Sequence, residues 1–448
     1  MEMIRKHCII WPLLLSLSLL LSCSRDSDFD AGGSTAGGSG GATSPRQATQ
    51  EVRRVLLMVS GGHNSLSSYL ADDLQELSSS YIPHGTYRSA DVMLVLSRLP
   101  KSSFATTSAP ALYRMYTDAQ GTVVRDTIKV WPEGRLFAGT VMKEALALAY
   151  ERFPAKGYGM VFSSHASGWL PDGYYNDPSQ FENTPQPTWG PRAVRAARRE
   201  VFPPIGDYPA VKSLGQDKDD AGSVEMELAD FVDAIPMHLD YLLIDACLSG
   251  CVEVAYALRG KADVVGFSQT EVLANGFDYR KLTSRLLAAT PDPKAVCEDY
   301  FAIYKDLSGI SRSATISLVD TRNMDGLAQV CKDLFARYRT QIDALEGTKV
   351  QGYFRYNRHF FYDLKDILVK AGITAQEQEQ LDAALDACVL YKAATPYFMQ
   401  NSQYGFAITN YCGLSMYLPS MGSSFLDNFY KANISWNTDT GLVYSTIQ

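Results

Sequence analysis

The sequence predicts an α/β fold in which a mostly parallel central sheet is flanked by helices and followed by a helical C-terminal part. Three observations predict it. Short unbroken apolar runs, such as Val55-Leu56-Leu57-Met58-Val59 and Tyr241-Leu242-Leu243-Ile244, read as strands buried on both faces. Stretches with apolar residues at helical spacing alternate with those runs, as the crossovers of parallel strands require. Beyond about Arg280 helical spacing dominates, with one late strand-like run from Gly413 to Leu418.

The N-terminus reads as an export signal. Arg5 and Lys6 precede an apolar run from Ile9 to Leu21, interrupted by Pro12, Ser16 and Ser18, which is short for a membrane span and suited to a secretory signal. It ends in Leu20-Leu21-Ser22-Cys23, which resembles a bacterial lipobox and implies cleavage before Cys23 and acylation of that cysteine. An ordinary cleaved signal with a chance cysteine is the other reading. Residues 1–22 are therefore expected to be a lipoprotein signal peptide. Residues 23–50, acidic and then rich in Gly and Ser, would be a tether holding the body at a membrane through lipid alone. The acidic residues after Cys23 point to the outer surface of the cell envelope. The catalytic core is expected over 51–285, with 286–448 packed on it.

From residue 53 the elements follow in order. Val55–Val59 is a strand ending in Ser60-Gly61-Gly62, and a helix follows through Leu66, Leu70 and Leu74. Val92–Leu96 is a second strand. Phe137, Val141, Ala145 and Leu148 mark one face of a helix over 136–153. Gly159–Ser164 is a strand. Ser223 caps an expected helix with Glu225 and Glu227 in its first turn and Val224, Leu228, Phe231 and Ile235 as its buried stripe. Tyr241–Ile244 is a strand, Val252–Leu258 a helix and Val264–Phe267 a strand. The segment from Pro171 to Asp220 has no convincing period, and a connection of that length inside a folded body is functional or cut.

Composition narrows the function. The formal net charge of -8 argues against a nucleic-acid partner. With Cys8 and Cys23 assigned to signal and anchor, six of the eight cysteines remain, too sparse for a disulfide scaffold and without the His/Cys spacing of a zinc site. No metal is expected.

Two strand ends carry chemistry. One strand runs into His165-Ala166-Ser167-Gly168-Trp169, the other into Asp245-Ala246-Cys247-Leu248-Ser249-Gly250. In parallel sheets chemistry gathers just past the carboxyl ends of the strands. A His and a Cys placed there can face each other across a cleft, where imidazole takes the thiol proton and returns it to a leaving amine. A helix starting just after Cys247 would add its positive end. Each residue alone also reads as an ordinary core cysteine or a hydrogen-bonded structural histidine.

The segments Leu243-Ile244-Asp245-Ala246-Cys247-Leu248 with Val252-Glu253-Val254-Ala255-Tyr256, and Ser163-Ser164-His165-Ala166-Ser167-Gly168-Trp169, resemble the nucleophile and histidine segments of clostripain-like peptidases. Gly266–Glu271, Gly276–Tyr279, Ser317–Asp320 and Gly413–Pro419 are similar too, so the resemblance spans about 53–440. It implies a caspase-like α/β sandwich and endopeptidase cleavage of proteins or peptides after Arg or Lys. It also implies a Cys247/His165 dyad, an oxyanion hole from the backbone N–H groups of Cys247 and Ala166, and self-cleavage between the two segments.

Many relatives have Gly where this chain has Ala166, and alanine resists a positive φ by about 1 kcal/mol. A basic P1 side chain wants a carboxylate partner. Asp245 is one candidate, though it can instead cap a following helix, and Asp278 and Glu271 are others. Arg192, Arg195, Arg198 and Arg199, with Lys212 and Lys218, are the self-cleavage candidates, the arginines reading equally as a solvated helix face. Some relatives need calcium, but no EF-hand-like ligand run is present. The competing class of function is a surface-tethered binding protein on a non-catalytic peptidase scaffold.

Overall fold

The computed structural model describes residues 52–62, 66–85, 91–99, 108–137, 140–164, 167–174, 181, 211–212, 217–219, 222–354 and 360–444. Cys23, expected to be acylated, His165, expected to be the partner of Cys247, Ala166 and the arginines Arg192, Arg195, Arg198 and Arg199 lie outside the described residues.

In chain order the strands are β1 (Val52–Gly61), β2 (Asp91–Arg98), β3 (Ala111–Thr117), β4 (Val123–Val130), β5 (Ala155–Ser163), β6 (Val211–Lys212), β7 (Asp217–Asp219), β8 (Gly222–Val224) and β9 (Leu239–Asp245). They continue as β10 (Ala262–Phe267), β11 (Val272–Leu273), β12 (Thr315–Asp320), β13 (Tyr362–Asp363), β14 (Val389–Ala394), β15 (Tyr397–Phe398), β16 (Phe406–Ala407) and β17 (Ser415–Met416). Nine of them make one sheet in the order β14-β12-β10-β9-β5-β1-β2-β3-β4. The five central strands, β10, β9, β5, β1 and β2, run parallel, and antiparallel strands complete both margins.

The central strands are the apolar runs of the sequence. Val55–Val59, Leu94–Val95, Met160–Val161 and Leu242–Leu243 are buried on both faces because helices flank the sheet. Helices Ser67–Ser78, Tyr279–Leu286 and Pro293–Lys305 pack as one group. A second group includes Leu228–Asp233, Val252–Ala257, Met324–Asp343, Ala375–Cys388 and Ser435–Thr440. Residues beyond 285 supply β12 and β14, so the C-terminal part extends the sheet as well as covering it.

Three expectations need correction. The helix expected from Ser223 starts only at Leu228, and Gly222–Val224 is a strand paired with β7. Glu225 and Glu227 do not serve a first turn. Their carboxylates accept the backbone N–H groups of Gly173 and Asp172, tying this stretch to the loop beyond β5. No helix begins just after Cys247, since the next one opens at Val252 with extended Cys251 before it. The late run Gly413–Leu418 yields only the two-residue strand β17, paired with β13. The hairpin of β3 and β4 lay outside the reading altogether.

Candidate active site

β5 and β9 are parallel neighbours, and Ser163 of one is the register partner of Asp245 of the other. The sequence places His165 two residues past Ser163 and Cys247 two residues past Asp245. The two segments thus leave adjacent strands at the same level of the same sheet edge.

The cysteine loop is held by backbone bonds made far from it in sequence. Leu248 N–H donates to the Thr270 carbonyl at 3.0 Å, and Gly250 N–H to the Ser268 carbonyl at 2.7 Å. The Gly250 carbonyl accepts the N–H of Ser415 at 2.9 Å. Leu248 itself sits at φ +57, in the left-handed region. The turn that receives these bonds is fixed in its own right, because the Thr315 hydroxyl oxygen accepts the N–H groups of Gln269 and Thr270 at 3.1 and 3.0 Å.

Cys247 is 1% exposed. Its sulfur accepts the N–H of Val272 at 3.1 Å and lies 3.8 Å from the carbonyl of the same residue. β11, which contains Val272, pairs antiparallel with β6, Val272 opposite Lys212. Lys218 lies in β7, opposite Ser223 of β8.

The three candidate carboxylates are placed differently. Asp245 is buried, and its Oδ2 accepts Tyr279 OH at 2.6 Å, Phe277 N–H at 3.3 Å and Ser163 OH at 3.4 Å. It caps no helix after Cys247, since the next one opens at Val252 behind Cys251. Burial, and then the charge of Asp245, push the Tyr279 hydroxyl well above the ordinary phenol range, so it acts as a donor. Glu271 is buried immediately before β11. Asp278 is half-buried and pairs with Lys281 at 2.9 Å. Tyr279 and Val272 were not singled out from sequence. A buried tyrosine hydroxyl seeking a partner was the available signal for the first, and for the backbone of Val272 there was none.

The remaining described cysteines are poor nucleophiles. All are buried, and burial pushes the thiols of Cys251, Cys297, Cys331 and Cys412 far up and that of Cys388 to about 12. Among the described residues, only Cys247 lies at the end of a parallel strand beside the histidine-bearing one.

The histidine segment is anchored in turn by Trp169. This buried ring meets Tyr417 at 4.8 Å and Tyr430 at 4.9 Å between centroids. Both segments therefore rest on the same C-terminal stretch.

Residues 205–443, more than half of the chain, match the model of the Clostripain family. The chain belongs to the clostripain family. An inactive zymogen C11 protease from Parabacteroides distasonis is similar over 88% of this chain and 98% of its own, at 25% identity and a TM-score of 0.66. A secreted C11 cysteine protease from Bacteroides thetaiotaomicron, solved with an irreversible peptide inhibitor, is similar over 87% and 99% at 23% identity and a TM-score of 0.67. No curated protein matches the chain. The clostripain-family fold is thus a mixed, mostly parallel sheet flanked by helices, shared with caspase-like proteases, and the family is one of cysteine peptidases. Among the described residues, no group of three or more His, Cys, Asp or Glu side chains gathers to hold a metal ion.

Proposed function

We propose that this clostripain-family chain is an exported, lipid-anchored cysteine endopeptidase that cleaves proteins or peptides after Arg or Lys, with Cys247 as nucleophile and His165 as its proton partner. The observation that carries the reading is the Ser163–Asp245 register between β5 and β9, which sends the two segments off one sheet edge side by side. In the proposed reaction the Cys247 thiol gives its proton to His165, and the thiolate attacks the scissile carbonyl carbon. The N–H groups of Cys247 and Ala166 receive the oxyanion. The C–N bond breaks as the imidazolium protonates the leaving amine, and water then hydrolyses the thioester.

Asp245, Glu271 and Asp278 are the carboxylates proposed to recognise the basic P1 side chain. Asp245 has the strongest support because it lies two residues from the nucleophile in a buried network. The uncut chain is proposed to be a zymogen that cleaves itself between the two segments, at one of the six basic residues named above. The zymogen form of the P. distasonis relative supports this. The apolar leader with Cys23 supports export and anchoring, as does the secreted B. thetaiotaomicron relative.

The test is an assay of the purified chain on Arg, Lys and Ala peptide substrates beside Cys247→Ala, with iodoacetamide labelling of both. Turnover of basic substrates and labelling, both lost in the variant, are the expected result. A folded wild type that neither turns over nor labels belongs to the alternative class, a tethered binding protein on a non-catalytic scaffold.

A further inference from the structure

We infer that Gly168 and Leu248 interlock the two catalytic segments, and that Gly168 is thereby a positioning residue for the Cys247/His165 pair; the inference rests on the peptidase reading. Gly168 stands three residues after His165, and Leu248 directly follows Cys247. Gly168 adopts φ +62, and a Cβ added there would lie 2.6 Å from the Leu248 carbonyl oxygen and 2.6 Å from the Phe361 ring. Side-chain carbons do not approach carbonyl oxygens so closely. The two segments meet backbone to backbone only because residue 168 has no side chain.

Leu248 completes the contact from the other side. It is fully buried, and it is one of three non-glycine residues with positive φ among the described residues. In that conformation its N–H reaches the Thr270 carbonyl while its own carbonyl turns to Gly168. An ordinary φ would rotate the peptide and lose one of the two. Neither segment can slide to compensate. Trp169 is wedged against Tyr417 and Tyr430, and Gly250 is bonded to Ser415, so both are pinned to the same stretch of chain. The Gly168–Leu248 contact therefore sets the remaining freedom, the gap between the segments. Widening it by about 1 Å is expected to lower the rate about a hundredfold, because the proton transfer depends on the approach of imidazole to sulfur.

The experiment uses the full-length chain carrying Gly168→Ala, with Gly173→Ala as control. Gly173 also has positive φ, +74, but a Cβ there meets nothing nearer than the Phe181 ring at 3.8 Å. The control therefore suffers the same backbone strain without touching the cysteine loop. The readouts are kcat, KM and the pH profile of Cys247 alkylation. Gly168→Ala is expected to lose kcat about a hundredfold with little change in KM, and its alkylation profile should move to that of His165→Ala. Gly173→Ala should keep the wild-type profile. If Gly168→Ala does not fold, Leu248→Val carries the test, since a β-branched residue resists φ +57 and should shift kcat and profile the same way. An unchanged profile and kcat in the folded variants, or an equal loss in Gly173→Ala, would overturn the interlock alone. A wild type without turnover or labelling would overturn the peptidase reading and the interlock with it.

Discussion

Tyr279 donates its hydroxyl hydrogen to Asp245 across 2.6 Å, inside the protein and two residues from Cys247. The bond joins the helix after β11 to the end of the strand that runs into Cys247. Tyr279→Phe removes one of the donors holding a buried carboxylate. It is expected to destabilise the fold by about 2 kcal/mol, within the range for hydrogen bonds to charged groups. Urea unfolding checks the loss, and a rise in KM for Arg and Lys substrates relative to Ala would show that the orientation of Asp245 also serves P1 recognition.

Cys247→Ala should abolish turnover and iodoacetamide labelling together, and His165→Ala should leave turnover near background, because the two act as a unit. Cys251→Ala should retain most activity, since its buried thiol is pushed far from ionisation. It is expected to lose about 1 kcal/mol of stability from the vacated volume. Labelled-peptide mass spectrometry near neutral pH should find Cys247 alone.

Of the six candidates for the proposed self-cleavage, Arg192, Arg195, Arg198 and Arg199 are expected to be cut in preference to Lys212 and Lys218. Lys212 is paired with Val272 of β11 and Lys218 with Ser223 of β8. A peptidase takes its substrate as an extended chain free to enter the cleft, and a strand already in a ladder must first be unzipped. Sequencing the new N-terminus in wild type, with Cys247→Ala as the uncut reference, decides this. A fragment starting at Ser213 or Asp219 would refute it.

Glu253 is fully buried, and burial pushes its carboxyl above the ordinary range even though Tyr417 N–H and Tyr430 OH both donate to it. The folded state therefore holds this proton more tightly than the unfolded chain. Its contribution favours folding at low pH and is withdrawn as pH rises above about 4.3, where the unfolded carboxyl ionises. Glu253→Gln should remove that dependence. Comparing urea midpoints at about pH 5 and about pH 8, the variant should gain on wild type at the higher pH. A parallel shift of both proteins would contradict the assignment.

The centre of the fold was legible because burial on both faces writes itself as unbroken apolar runs. The runs at 55–59, 92–96, 159–164, 241–244 and 264–267 match the five parallel strands. The margins were not, because an edge strand needs no such run. In β4, Arg125, Asp126, Thr127 and Lys129 are polar, and Arg125–Thr127 are exposed. Local pattern also failed where distant bonds decide. Propensity allowed a helix after Cys247, but the bonds from Leu248 to Thr270 and from Gly250 to Ser268 and Ser415 hold an irregular loop there. Of the candidate site, the two strand ends were readable from sequence. The backbone of Val272 and the tyrosine on Asp245 depend on how the chain returns after β10, which no local spacing records.

The bonds from Gly250 to Ser415 and from Glu253 to Tyr417 and Tyr430 also have a temporal meaning. Synthesis delivers Cys247 long before the residues that shape its loop. A nascent chain halted anywhere short of residue 415 holds Cys247 but lacks the brace of its loop. On the proposed peptidase reading, the loop of Cys247 gains its brace only with the last stretch of translation, so the ribosome and the machinery that handles the unfinished chain meet it as an unarmed polypeptide.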